Sequence, residues 1–250
     1  MRKLLIFLLI STGIAAILFS ASCQTKTTEA PKKQPLKQKP SNKTEKKQAK
    51  KNNKSGGKQV FMMGRSVMNG WLRTWSPEDP YKPIKKNNFT FIYKELSTPP
   101  DIVSSVRDYL KDADDNTNIF FKLCFEDFTG GSSEEAKTNR ERNQQYIEEV
   151  YDEVVGKKHL KLIIGNALPQ VENATDEFIV DNHKSYNKWL TDFAKEHKDE
   201  VYIFDQYEIL AGSDGSLKQE FEASSDDSHP NEDGYEAMDA TFFNLLQEIN

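Results

Sequence analysis

The chain has few of the side chains that commonly bind metals or cofactors. Its 250 residues include only two cysteines, Cys23 and Cys124, and four histidines. It contains no phosphate-binding loop, no dinucleotide glycine fingerprint and no pair of histidines at metal-ligand spacing, so we predict neither a metal site nor a cofactor. Cys124 lies in an apolar run, which is typical of a core residue rather than of a disulfide partner.

The first 22 residues have the features of an export signal. Two basic residues precede an apolar run over 4–19, which at 16 residues is shorter than the ~20 that a membrane span needs. Small residues then lead directly into Cys23. This arrangement resembles a bacterial lipobox, which implies a lipoprotein signal peptide over 1–22 and a lipid on Cys23. An ordinary cleaved signal or an uncleaved anchor is the alternative, because Ser20 stands where a lipobox usually has leucine.

A lysine-rich segment follows the signal. Residues 24–58 contain 12 lysines, two glutamates and no apolar periodicity. A segment of this composition cannot bury enough apolar surface to fold, so 23–58 is predicted to be a disordered linker that begins with the lipidated Cys23. Its main role is interpreted as that of a solvated spacer, with attraction to anionic lipid or wall polymer as a secondary effect.

Residues 59–250 form the predicted globular domain, which is strongly acidic. The chain has 34 basic and 39 acidic residues, of which the signal holds 2 basic ones and the linker 12 basic and 2 acidic ones. The domain therefore carries 20 basic and 37 acidic residues, a net charge of −17. Nucleic acid is excluded as a partner because phosphate binding requires a basic surface. The oligomeric state is not indicated.

Short apolar runs alternate with helical patterns along the domain. The candidate strands are 60–63, 89–93, 118–125, 160–164 and 201–204. Strands that alternate with helices predict the α/β class, here a three-layer α/β/α sandwich with a five-stranded parallel sheet. In such a sheet the active site lies at the carboxyl ends of the strands.

A serine directly follows the first candidate strand. Ser66 comes in the sequence Gly64-Arg65-Ser66, at the predicted mouth of the sheet. Serine is a poor nucleophile unless a nearby base takes its proton. Histidine suits this work near neutral pH, and His229 is the candidate because it lies beside acidic residues and is followed by a proline. The other three histidines, His159, His183 and His197, are in charged or amphipathic stretches and are predicted to lie on the surface.

The histidine base in turn needs an acceptor on its other ring nitrogen. Asp226, three residues before His229, is predicted to provide it, and Asp227 is a possible substitute. A structural interpretation also fits this segment, because Asn231 and the acids after it favour the start of the following helix. Both interpretations can hold together.

These two segments resemble the first and last blocks of the SGNH (GDSL-type) hydrolases. Gly64-Arg65-Ser66 is similar to the family's Gly-Asp-Ser, and Asp226-x-x-His229-Pro230-Asn231 is similar to its last block. The resemblance implies the flavodoxin-like fold of that family. It also implies that Ser66, His229 and Asp226 are nucleophile, base and orienting acid.

The oxyanion hole departs from the family pattern. Where family members often have Gly-x-Asn-Asp, the chain has Cys124-Phe125-Glu126-Asp127, so that Glu126 takes the place of the asparagine. A carboxylate there would repel an oxyanion, which leaves Asn69, Gly70 or the Gly130–Gly131 pair as donors and Asp127 as a substrate contact.

The expected function is that of a membrane-anchored, extracytoplasmic serine ester hydrolase on a bacterial membrane. The expected substrate is an acylated small molecule or carbohydrate, with small acyl groups removed from a glycan or cell-envelope polymer. One alternative is a catalytically weak or inactive lipoprotein that binds glycan, and another is an acyltransferase. Helix packing is favoured over sugar stacking as the role of the aromatic residues Trp71, Trp75, Tyr81 and Trp189.

Overall fold

The computed structural model describes residues 58–250. The predicted signal peptide, Cys23 and the linker up to residue 57 lie outside the described residues. Over the part that is described, no helix combines the length and the apolar character required to cross a bilayer.

The described chain alternates strands and helices, as the sequence predicts. The strands are β1 (Lys58–Gly64), β2 (Ile84–Lys86), β3 (Phe89–Glu95), β4 (Asn118–Lys122), β5 (Leu162–Gly165), β6 (Val201–Phe204), β7 (Glu222–Ser224) and β8 (Asp227–Pro230). The helices are α1 (Ser66–Trp75), α2 (Ile102–Tyr109), α3 (Ser133–Tyr151), α4 (Glu177–Glu196), α5 (Gln206–Leu210) and α6 (Glu232–Glu248). Helix α3 continues into a π-helical turn over Asp152–Gly156.

The central sheet has six strands in the order β2-β3-β1-β4-β5-β6. Five of them, β3, β1, β4, β5 and β6, are parallel. The sixth, β2, pairs antiparallel with β3 at the edge and corrects the predicted strand count. At three residues it is too short to show an alternating pattern in the sequence. A separate two-stranded hairpin, β7 with β8, was not predicted either.

The strand boundaries differ from the prediction by a few residues. Strand β1 begins at Lys58, one residue inside the predicted linker. Strand β4 ends at Lys122 instead of Phe125, because the chain turns into a 3-10 helix over Phe125–Asp127. Such ends are poorly defined by apolar runs, since the run continues past the last residue that pairs in the sheet.

Helices cover both faces of the sheet, which confirms the predicted three-layer sandwich. Helices α1, α5 and α6 pack on one face, and α2, α3 and α4 pack on the other. Alternate side chains of β1 enter the two cores, with Val60 and Met62 on the first face and Phe61 and Met63 on the second. This period of two explains why the buried strands are apolar throughout.

The topology determines where a ligand crevice forms. Strand β1 lies between β3 and β4, so the chain moves to one side of β1 and then crosses to the other. Where the strand order reverses in this way, the loops at the carboxyl ends separate and leave a crevice. Residue Ser66 lies at this end of β1.

Candidate active site

Ser66 is the first residue of α1 and follows β1 after a single intervening residue. The turn is tight, because a Cβ atom on Gly64 would lie 2.9 Å from Cβ of Met68. Ser66 is exposed, and Arg65 at the N-cap position makes no side-chain bond to the first amides of the helix. These N–H groups and the positive end of the helix dipole therefore face the same crevice as the serine hydroxyl.

The structure places His229 against Ser66. Its Nε2 lies 2.8 Å from the Ser66 Oγ, and its Nδ1 lies 2.6 Å from Oδ1 of Asp227. The three side chains thus form a continuous chain of hydrogen bonds from an acid through an imidazole to a hydroxyl. This is the geometry in which a histidine can take the proton of a serine while the acid holds the ring tautomer.

The acid in contact with His229 is Asp227, so the predicted contact of Asp226 with His229 is wrong. Asp227 and His229 both lie on β8, where residues two apart point to the same face. Asp226 is in the turn before β8, and its carboxylate accepts a hydrogen bond from the Ser224 hydroxyl at 2.7 Å. The sequence interpretation places this segment in a loop, and a loop does not imply that residues 227 and 229 lie on the same face.

The environment of Asp227 favours its charged form. The backbone N–H and the ring of His229 both donate to the same carboxylate oxygen, and these hydrogen bonds lower the pKa of Asp227 below its usual value of 3.8. The ring of Phe125 also meets the imidazole edge-on, with 5.2 Å between centroids. The imidazole therefore contacts both a carboxylate and an aromatic ring.

Behind Ser66, Arg65 forms an ion pair with Asp127. Arg65 Nη2 lies 2.8 Å from Oδ1 of Asp127, while Oδ2 of the same carboxylate accepts the backbone N–H of Cys124 at 2.7 Å. Only 3% of the Asp127 side chain is exposed. Its carboxylate joins the start of α1 to the turn after β4, which leaves little of it for the substrate contact predicted from the sequence.

A buried lysine lies close to this ion pair. Lys122 is the last residue of β4 and is 1% exposed. Burial lowers the pKa of Lys122 to about 8, although the charge of Asp127 acts in the opposite direction. Sequence reasoning missed this residue because Asn118–Lys122 has the apolar character of a central strand, and nothing in that pattern marks the lysine as buried.

Two of the predicted oxyanion donors, Asn69 and Gly70, lie on α1. Asn69 follows Ser66 by one turn, and its side-chain oxygen accepts a hydrogen bond from Arg73 Nε at 2.8 Å. Gly70 faces α6 instead, because a Cβ atom there would collide with the hydroxyl oxygen of Tyr235. Asn69 is thus beside the crevice, whereas Gly70 serves the close packing of two helices.

The other predicted donors are used elsewhere. The N–H of Gly131 donates to Asp176 at 2.7 Å, and a Cβ atom on Gly130 would collide with the same carboxylate. Asp176 caps the start of α4, so the glycine pair fixes the start of α3 to that helix. Glu126 is exposed in the Phe125–Asp127 turn, and an ionised carboxylate has no proton to donate to an oxyanion.

The burial of His183 and of Trp71 tests two other interpretations of the sequence. His183, predicted on the surface, is fully buried beside Phe128, and burial lowers its pKa to about 3. Trp71 is 1% exposed and packs on Phe204 with ring centroids 5.7 Å apart, which favours the helix-packing role. The amphipathic pattern of α4 placed His183 on the wrong side because a histidine counts as polar even when it packs as an aromatic ring.

Comparison with solved structures identifies the fold. A GDSL-like lipase from Bacteroides thetaiotaomicron superposes with a TM-score of 0.57 at 16% identity, covering 77% of this chain and 89% of that one. A proposed acylhydrolase from Bacteroides fragilis gives 0.54 at 17% identity, covering 77% and 88%. A proposed lipolytic protein of the G-D-S-L family from Desulfitobacterium hafniense gives 0.53 at 18%, covering 76% and 99%.

No family model matches the sequence, and no curated protein matches it. The likeness therefore lies in three dimensions, at identities too low to compare residues one by one. The domain has the fold of the SGNH (GDSL-type) hydrolases, which confirms the fold that the resemblance of the two sequence blocks implies.

Proposed function

We propose that this protein is a serine ester hydrolase in which Ser66, His229 and Asp227 act together. The observation that carries the proposal is the 2.8 Å contact between His229 Nε2 and Ser66 Oγ, with Asp227 on the other ring nitrogen. The fold supports it, because solved structures with this fold include proteins described as a GDSL-like lipase and a proposed acylhydrolase.

In the proposed mechanism the Ser66 Oγ attacks the acyl carbon while His229 Nε2 accepts the hydroxyl proton. The resulting imidazolium is stabilised by Asp227, and it passes the proton to the departing alcohol as the ester C–O bond breaks. Water then attacks the acyl-serine with His229 again acting as the base. The second step releases the acid and restores the Ser66 hydroxyl.

The oxyanion that forms at the acyl carbon needs donors. The Ser66 N–H at the start of α1 supplies one in this proposal, and the Asn69 side-chain amide one turn later supplies another. Neither requires Glu126. Removing a single oxyanion donor costs on the order of 10²–10³ in rate, so a hole with fewer donors than usual still supports measurable turnover.

The proposal extends to location and substrate. The apolar segment followed by Cys23 supports export and lipid attachment, which would keep the domain on the extracytoplasmic side of a bacterial membrane. A domain in that position meets glycans and other envelope polymers first. We therefore propose that its substrates carry small acyl groups on such a polymer; this step rests on analogy with enzymes of the same fold.

The mechanism is tested with the purified full chain and a short-chain aryl ester such as p-nitrophenyl acetate. Ser66→Ala and His229→Ala should each abolish turnover above background, whereas the exposed Ser225→Ala serves as a matched control and should not. A fluorophosphonate probe should label Ser66, as identified by mass spectrometry of the modified peptide. Hydrolysis that survives in Ser66→Ala would exclude the mechanism.

The rival function is that of a catalytically weak or inactive glycan-binding lipoprotein. It is favoured by one observation, the exposed Glu126 at the position where a donor side chain is expected. Absence of both turnover and fluorophosphonate labelling, together with retained glycan binding, would establish the rival. An acyltransferase differs only in its acceptor, so product analysis with a sugar present during turnover separates it from a hydrolase.

The anchor is tested independently of catalysis. In a bacterium fed labelled palmitate, the full chain should incorporate the label, and Cys23→Ser should not. The matched control is Cys124→Ser, because Cys124 is a buried free thiol and should not affect labelling. Unchanged labelling of Cys23→Ser would refute the lipid anchor without affecting the catalytic proposal.

A further inference from the structure

The inner faces of α3 and α4 are mostly apolar, with side chains such as Val150 and Leu190 packed into the core. Three buried asparagines interrupt this pattern, Asn139 and Asn143 one turn apart on α3 and Asn182 on α4. A buried carboxamide costs free energy unless it forms hydrogen bonds, so an interruption of this kind indicates specific partners.

The partners of the asparagines are backbone groups of the turn after β4. Asn139 Nδ2 and Asn143 Nδ2 donate to the Asp127 carbonyl at 2.8 and 2.9 Å, and Asn182 Nδ2 donates to the Thr129 carbonyl at 3.0 Å. The side-chain oxygen of Asn139 accepts the Thr129 N–H at 3.3 Å and the Asn182 amide at 2.9 Å. An irregular turn leaves carbonyls without backbone partners, and side-chain amides supply them here.

A fourth carboxamide holds two more carbonyls of this turn. Gln170, in the loop after β5, donates through Nε2 to the carbonyls of Phe125 at 3.2 Å and Phe128 at 3.3 Å. Gln170 is buried, as the asparagines are. The turn is therefore held by α3, α4 and the loop after β5 in addition to its own backbone hydrogen bonds.

The turn carries two residues that reach the proposed active site. The Asp127 carboxylate pairs with Arg65, the residue before Ser66, and the Phe125 ring lies against the imidazole of His229. Asp127 is thus held at both ends, its carbonyl by the asparagines of α3 and its carboxylate by Arg65. A displacement of the carbonyl reaches the segment that presents the nucleophile through a single residue.

We propose that Asn139 and Asn143 are positioning residues of the hydrolase. By fixing the Asp127 carbonyl they determine the place of its carboxylate and, through Arg65, that of the Ser66 hydroxyl. The inference rests on the proposed function and assigns to it two side chains that are not bonded to the nucleophile or its base. A misplacement of about 1 Å that arises far from the reacting atoms costs up to about 10²-fold in rate.

The first test is steady-state hydrolysis of an aryl ester such as p-nitrophenyl acetate. Asn143→Leu keeps the approximate size of the side chain and removes the donor. It should lower kcat about tenfold and leave KM within a factor of about two, because the substrate contacts do not change. Fluorophosphonate labelling of Ser66 should slow by the same factor. An unchanged kcat in folded Asn143→Leu would overturn the proposal.

Val150→Ala is the matched control for stability. It removes buried atoms two turns further along the same helix, so it should lower the urea midpoint while kcat stays within a factor of about two. Equal losses of kcat in Val150→Ala and Asn143→Leu would reduce the asparagine to a structural role and overturn the proposal. If Asn143→Leu does not fold, Asn143→Ser takes its place, because its shorter side chain stays polar but cannot span the same gap.

The route through Arg65 is tested by a double-mutant cycle. The variant Arg65→Met/Asp127→Leu removes the ion pair but keeps the backbone carbonyl of residue 127. In that background Asn143→Leu should change kcat by less than about twofold, because the link to the nucleophile is already cut. A full additional loss would show that Asn143 acts by another route and would overturn the proposal.

A readout without turnover separates this inference from the proposed function. His229 Nε2 contacts Ser66, so the imidazole signals of His229 in ¹H–¹⁵N spectra, assigned with His229→Ala, report the place of the serine. They should move in Asn143→Leu and stay in Val150→Ala, while those of the exposed His159 stay in both. A parent protein with neither turnover nor labelling would refute the hydrolase, and unmoved His229 signals in Asn143→Leu would refute the positioning role.

Discussion

The guanidinium of Arg65 and the carboxylate of Asp127 form an ion pair 2.8 Å long that joins the residue before Ser66 to the turn after β4. The same carboxylate holds the backbone N–H of Cys124. Burial by itself would lower the pKa of Arg65, but the hydrogen bond and charge of Asp127 outweigh it and raise the pKa. The position of the serine therefore depends on a charge pair that solvent hardly reaches.

Breaking this pair should destabilise the protein. Asp127→Ala leaves Arg65 without its partner, and removal of one member of a buried pair costs about 3–5 kcal/mol in the free energy of unfolding. The double variant Arg65→Met/Asp127→Leu should lose less than Asp127→Ala alone. Urea unfolding measures both. The matched control is Asp108→Ala, which breaks the exposed pair with Lys111 and should change little. If all three variants unfold alike, the pair has no structural role.

Asp227 and Asp226 should differ sharply in their effect on catalysis. Asp227→Asn removes the charge that holds Nδ1 of His229, so kcat should fall by roughly 10²- to 10⁴-fold. Asp226→Asn alters only a bond to Ser224 and should leave kcat within a factor of about two. Steady-state hydrolysis of an aryl ester distinguishes them, and the reverse ranking would restore Asp226 as the orienting acid.

His183 should make the fold sensitive to acid. Burial lowers the pKa of His183 from 6.5 to about 3 in the folded state. Between about pH 3 and pH 6.5 the unfolded chain binds a proton that the folded chain does not. The free energy of unfolding therefore has its full value above pH 6.5 and declines as the pH falls. The expected slope from this residue is at most about 1.4 kcal/mol per pH unit.

The measurement is urea unfolding of the parent protein and His183→Leu between pH 4 and pH 7.5. The difference in unfolding free energy between them should change with pH in favour of the variant as the pH is lowered. His159→Asn is the control, because His159 is exposed and has a positive φ of 56° that asparagine tolerates. Parallel profiles for the parent and His183→Leu would contradict the prediction.

The buried Lys122 should lower the free energy of unfolding at neutral pH. Burial lowers the pKa of Lys122 from 10.5 to about 8, so the folded state releases a proton that the unfolded state keeps between these values. Stability from this residue therefore rises from pH 8 toward pH 10.5. Lys122→Met, which preserves length and volume, should be more stable than the parent by about 1–3 kcal/mol at pH 7.

That advantage should shrink as the pH is raised to 10, which thermal unfolding at several pH values will show. The exposed Lys85→Met is the matched control and should show no such trend. A variant that is less stable than the parent at pH 7 would mean that the Lys122 ammonium is stabilised by Asp127 more than it is penalised by burial.

The architecture could be predicted from the sequence because the helices and the strands each repeat their apolar side chains with a regular period. The five parallel strands of the prediction are all present, since strands such as 118–122 and 201–204 are short apolar runs between helical stripes. β2 and the β7–β8 hairpin were missed because these three- and four-residue strands consist mostly of charged and polar residues and form no apolar run.

The site could be predicted only where the immediate sequence neighbours of a residue indicate its role. Ser66 was located by its position after β1, and His229 by its acidic neighbours. The choice between Asp226 and Asp227 depended on whether the segment is strand or loop, which its composition does not reveal. The Arg65–Asp127 pair joins residues 62 positions apart, and no periodicity within the chain brings such residues together.

Strand β1 has one further consequence, for the distance between its two ends. It runs from Lys58 to Gly64, so the residue at which the sheet begins and the proposed nucleophile Ser66 lie at opposite ends of one strand, roughly 20 Å apart. A group attached at Lys58 would therefore lie at the far end of the sheet from the crevice.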